Sequence, residues 1–171
     1  MFSFKGLQRA GGAALLAAIA PSPPIVAAAG SSVAFVDLID YPTQEANWDR
    51  FHSLEDRLAS AFHDACADGG CAPRRFLWPM QLRCSVQTPQ ATVAACAWVI
   101  AGSHLTVSAT GHITPDVIVW RCLLPMPTSI AVEQFHAALE VQDPLSVRLP
   151  GASATLRQGV QDCLAAPGSR T

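Results

Sequence analysis

After position 5 the sequence contains no lysine, so arginine supplies every remaining positive charge, and Arg74-Arg75 is the only adjacent basic pair. Phosphate backbones are bound by clustered positive charge, and its absence argues against a nucleic-acid partner. There is no Gly-x-Ser-x-Gly elbow, no phosphate loop and no His-Glu-x-x-His helix, which removes the hydrolase, nucleotide-binding and zinc-protease signatures a sequence can display. Beyond residue 30 there is no internal repeat, heptad pattern or low-complexity tract, so solenoid and coiled-coil architectures are not indicated. Nor is any apolar run long enough to span a bilayer: the stretch Ala10 to Ala20 is cut off by Pro21, Pro23 and Pro24.

That short apolar stretch has a different meaning. Lys5 and Arg9 precede it, and Ala27-Ala28-Ala29 follows with small residues at the spacing a signal peptidase accepts. Residues 1–29 are therefore expected to be a cleaved secretory signal peptide, leaving the protein periplasmic or secreted. No cysteine follows the small residues, so a lipoprotein anchor is not indicated, and Arg9 stands alone, unlike a twin-arginine signal. Cleavage after Ala29 leaves 142 of the 171 residues, enough for one core. Nine arginines then face thirteen acids, a formal charge of 9 − 13 = −4.

Six cysteines in an exported chain point to disulfides. From Met80 to Gln87 every even position is apolar and every odd one polar, the period of a strand with one wet face, so Cys84 turns inward. Val93 to Ala101 places Cys96, Trp98 and Ile100 on one side, and Thr88-Pro89-Gln90 breaks the two runs into a hairpin. With its centre near Gln90, Cys84 opposes Cys96 within disulfide reach; a slip of one residue would turn one sulfur away. Cys66 and Cys71 flank the glycine stop Asp68-Gly69-Gly70 and would staple a helix end to its loop. A zinc reading through His63 lacks four convergent ligands, so no metal and no cofactor are assigned. Cys122 and Cys163 remain as the third pair, closing a long ring.

The other elements follow from pattern. Ser31 to Asp40 is a short strand or, within 30–42, an extended leader. Residues 43–166 form the single domain and 167–171 a disordered tail. A helix begins near Pro42, with Thr43 as cap, and carries Trp48, Phe51, Leu54 or Glu55, Leu58 and Phe62 on one stripe. Gly102-Ser103 is expected to turn the chain into a third strand over 104–109, with turn chemistry at Thr110-Gly111-His112 and Thr114-Pro115-Asp116. Val117 to Leu123 is the fourth strand. Thr128 or Ser129 caps a helix with Val132, Phe135 and Leu139 inward and His136 on its polar side, and Thr155 opens a final helix through a capping box with Gln158. The sum is an α+β fold: an antiparallel sheet of three or four strands with helices packed on one face, stapled by disulfides.

Cys66 and Cys71 after the aromatic helix, Arg83-Cys84-Ser85-Val86, the run Cys96 to Ser103, Trp120-Arg121-Cys122, Leu149-Pro150-Gly151 and Asp162-Cys163-Leu164 together resemble a group of small secreted bacterial proteins of uncharacterised function. The resemblance spans residues 48 to 164 and implies an exported domain with paired cysteines, without implying an activity. The function favoured by the sequence is a non-enzymatic binding or inhibitor-type interaction domain whose partner is a protein. The alternative is a small envelope hydrolase with an unrecognised site, for which Ser103, His104, His112 and Asp116 are the residues to watch.

The export reading predicts a mature N-terminus at Gly30 or within three residues of it. Intact-mass measurement of the periplasmic or secreted protein checks this, and a mass that still includes Met1 is incompatible with it.

Overall fold

A computed structural model describes residues 34–67, 71, 75–167 and 169–170; the expected signal peptide and the Asp68-Gly69-Gly70 stop lie outside them. The fold is α+β. Three long strands, β2 (Phe76–Gln87), β3 (Thr92–Val107) and β4 (Ile113–Leu123), run antiparallel in that order. Short strands extend the sheet: β1 (Phe35–Asp37) beside β2, β5 (Ile130–Ala131) beside the start of β3, and β6 (Ser169–Arg170) beside β4. Three helices, α1 (Glu45–Cys66), α2 (Val132–Leu139) and α3 (Leu156–Ala165), complete the core with the sheet's inner face.

The hairpin of β2 and β3 sets the frame. Cys84 lies opposite Cys96 with Cα atoms 4.1 Å apart, and the two sulfurs are bonded. Two bulges make this register possible. At the turn end Val86 pairs with Val93, yet Ser85 pairs with Ala95, so Ala94 is an extra residue in β3. Without that extra residue being absorbed, strict alternation from buried Val93 would carry Cys96 to the opposite face. The matching irregularity falls between Pro79 and Gln81 in β2. Alternation from Cys84 alone would put Met80 inside, but the bulge turns it out to solvent and turns Leu77 in.

The other two staples differ in span. Cys66 and Cys71 close a ring at the end of α1, and Cys122 and Cys163 join β4 to α3 across 41 positions. Trp98, Ile100, Trp120 and Cys122 share one buried cluster with Phe51, Leu54, Leu58 and Phe62 of α1, with Phe62 edge-on to Trp98 at a centroid distance of 5.5 Å. Spacings of three and four along α1 put those four side chains on one stripe, while Trp48, expected on it, stays 45% exposed.

Several boundaries depart from the expected ones. Gly102 and Ser103 make no turn, because β3 runs straight through them. A Cβ at Gly102 would come within 2.6 Å of the Trp120 ring, so glycine is there for close approach. The chain reverses instead at Ser108–Gly111, where Gly111 takes φ +81°, and Thr114-Pro115-Asp116 belongs to β4. Thr43 does not cap α1. Its hydroxyl donates to the Asp40 carbonyl, and α1 is anchored by the Asn47 amide, which donates to Leu38 and Ile39 carbonyls at 3.1 and 3.0 Å. Thr128 and Ser129 cap nothing, since Ile130–Ala131 pairs with β3 before α2 begins without a side-chain cap. Thr155 does cap α3, accepting from the Gln158 amide at 3.2 Å.

Both termini of the described domain join the sheet. Phe35–Asp37 pairs with Ser85–Gln87, so this part of the expected leader is strand. Ser169–Arg170 pairs with Ile118–Val119, where 167–171 was expected as a tail. Trp120 holds the approach by donating its indole N–H to the Ala166 carbonyl at 3.2 Å, which brings the chain alongside the open edge of β4.

The ring sizes predict an order of stabilities. Chain entropy assigns nearly 4 kcal/mol to the ring closed by Cys122 and Cys163 and about 2 kcal/mol to that closed by Cys66 and Cys71. Replacing the first pair by alanine is expected to cost about 2–5 kcal/mol and the second pair less, as read from denaturant midpoints of the two double variants.

Candidate functional site

Adjacent residues on a strand face opposite ways, and this separates the one hydrolytic constellation the sequence offered. Ser103 pairs with Val117 on one face, His104 with Asp116 on the other, and the Asp116 carboxylate accepts from Arg75 at 2.6 Å. Ser103 and His104 therefore cannot work on one substrate atom. His112 lies in the exposed segment between β3 and β4, His52 contacts Glu55 at 3.2 Å, and the His63 ring sits 5.2 Å from that of Trp78. Among the described residues no three His, Cys, Asp or Glu side chains are gathered as a metal ion would require.

His136 is a correction. Rather than lying on the polar side of α2 it is 1% exposed, and neither ring nitrogen has a hydrogen-bond partner. The charges acting on it are Arg50 and Arg57 of α1 and Glu133 of its own helix; Thr92, Val93, Ile130 and Ala131, the paired residues of β3 and β5 beside α2, carry none. Burial, reinforced by Arg50, pushes its pKa down to about 4. Glu133 is held as a carboxylate by a two-toothed ion pair with Arg50, at 2.6 and 3.0 Å, which lowers its pKa as well.

The surface that stands out is the sheet face away from the helices. Of the twelve large apolar side chains exposed among the described residues, ten lie on β1 to β4, which leaves the helices' outer surfaces nearly clear of them. Leu105 (64% exposed), Val107, Ile113 and Val117 run along β3 and β4, and at the edge of β2 Phe76 (66% exposed) stacks on Trp78, whose ring also reaches His63 of α1. Register puts these on one side: Trp78 opposes Ala101, Ser103 opposes Val117, Leu105 opposes Pro115 and Val107 opposes Ile113. The opposite side of the same ribbon carries His104, Thr106, Thr114 and Asp116. A two-stranded ribbon with both faces wet has no reason to segregate its side chains so cleanly.

At its other end this face hollows into a shallow trough of about 420 Å³. Ser85, Ala95 and Ala97 line its floor, with the Cys84–Cys96 bond buried on the other side of the sheet, and Phe35 of β1 and Leu123 of β4 stand as walls. Polar groups stand at intervals. Arg83, which lines the trough, bridges Asp37 at 3.1 Å and Glu55 at 3.8 Å; Arg121, beyond the lining on the same sheet face opposite Val99, is exposed and makes no ion pair among the described residues. The trough is open and floored by the small side chains of Ser85, Ala95 and Ala97, so it offers extended contact area without a buried reactive centre.

No helix among the described residues is long and apolar enough to cross a membrane. Comparison with known proteins finds no matching family model, curated protein or solved structure.

His136 gives the site a measurable pH signature. The unfolded imidazole binds its proton near pH 6.5 and the folded one only near 4, so the fold binds fewer protons and loses stability as pH falls through that window. The interval of 2.5 pH units corresponds to about 3 kcal/mol. Denaturant titrations at pH 7 and 4 are expected to show that additional loss in the native protein and not in His136→Leu, whose apolar side chain leaves no polar group without a partner.

Proposed function

We propose that this is an exported bacterial protein that binds another protein through the uncovered face of its sheet and catalyses no reaction. The observation that carries the reading is the segregation on β3 and β4, where Leu105, Val107, Ile113 and Val117 share the side that no helix covers. Exposed apolar area of this extent on a small stable domain is characteristic of an interaction surface. Three disulfides fit an extracellular type of small protein, and the basic, apolar and small-residue order of positions 1–29 fits its export to the periplasm or beyond. Rigidity serves the same end, since a stapled sheet loses little freedom when a partner covers it.

Aspartate at Trp78 and Leu105 tests this with little risk to the fold, because both side chains are more than half exposed. Immobilised native protein is expected to retain a stoichiometric partner from an envelope extract at least about tenfold better than the Trp78→Asp/Leu105→Asp variant. Equal retention by both, or turnover of ester, peptide or glycoside substrates by the purified protein, contradicts the proposal.

A further inference from the structure

The geometry points to one kind of occupant for the outer face: an amphipathic α-helix of the partner protein, carrying a carboxylate that pairs with Arg121. This rests on the reading of that face as a docking surface and adds what docks there.

Strand addition is disfavoured first. The length of β2 not paired with β1 is blunted by Pro79, by the bulge at Met80 and by Glu55, whose carboxylate already accepts the Leu82 amide at 3.2 Å. On the far side, β6 covers Ile118 and Val119 of β4. The exposed apolar side chains themselves stand off the face, so the occupant is placed on the face rather than at an edge. A trough with small residues along its floor suits a cylinder. Phe35 and Leu123 stand on strands three spacings apart, about 14 Å at the usual inter-strand distance, and a helix with its side chains is about 10–12 Å across. A small lipid or acyl ligand fits poorly, because such ligands need most of their surface enclosed and this trough is open.

Charge then narrows the choice. Covering Arg121 with purely apolar surface would strand an unpaired guanidinium, which is strongly unfavourable. The outer strand positions described carry one acid, Asp37, and it is engaged by Arg83. A second copy of this chain presenting the same face brings Arg121 only that engaged carboxylate. A different protein whose helix offers Asp or Glu among apolar residues satisfies both requirements. A membrane surface would call for several basic groups free to meet it, and of the two arginines on this face Arg83 is already held by Asp37.

The test places a photo-cross-linking residue at Ala97, on the trough floor, and at Asp56, on the exposed side of α1, in the full chain expressed in its host. Adducts are mapped by mass spectrometry. Support consists of an Ala97 adduct, absent from Asp56, on a helical segment of another protein bearing an acid. With that purified partner, Arg121→Glu and Arg121→Ala are each expected to weaken binding at least about tenfold while leaving the thermal midpoint unchanged, and reversal of the partner's acid to arginine to rescue Arg121→Glu. An adduct on a second copy, on an extended segment, or one indifferent to both Arg121 variants overturns this inference and leaves the docking reading standing. No adduct from Ala97 overturns both.

Discussion

The pairing of Cys84 with Cys96 is the constraint on which the rest depends. It locks one opposed pair of β2 and β3 covalently, so it fixes which residues of both strands face the helices, and through β3 it fixes β4. Once Trp98, Ile100 and Trp120 are turned toward the helices by that register, their neighbours are turned away from them by the same alternation. The core and the apolar outer face are thus two consequences of one pairing. A sheet that buries Phe51, Leu54, Leu58 and Phe62 on one side presents Ala101, Leu105 and Val117 on the other with no freedom to do otherwise.

Division of labour between the faces follows. Disulfides, the Asn47 anchor and the Trp120 bond to Ala166 all act on the helical side or at the sheet's margins, so the outer face is rigid without being covered. His136 belongs to the helical side too. Its two partnerless nitrogens, close to Arg50 and Arg57, make the contact between α1 and α2 the acid-sensitive seam of the molecule, well removed in character from a site that handles a substrate.

Much of the fold is legible in the sequence because its signals are local. The stripe from Phe51 to Phe62, the Thr155 cap and the inward parity of Cys84 along its own strand each need only spacing, while the opposition of Cys84 and Cys96 also uses the bulge at Ala94. What escapes is decided at a distance. Gly102 looks like a turn until Trp120 is laid across it; Met80 looks buried until a bulge inverts its parity; His136 looks polar until α1 closes over it. The outer face was hidden for a related reason. Alternation shows that Leu105 and Val107 share a side, but it carries no information on whether a helix covers that side, and the count and placement of helices settle the matter only in three dimensions.

The two bulges also say where this sequence can change length. Ala94 and Met80 are each one residue more than a regular ladder needs, and every pair on either side of them is already in step. Loss of either would straighten a strand while leaving Cys84 opposite Cys96 and Leu77 opposite Gly102. An extra residue anywhere else in β2 or β3 would break the alternation. Descendants and cousins of this chain should therefore tolerate gaps at these two positions before any others in the hairpin, so that the sheet's most irregular points become its most permissive ones in evolution.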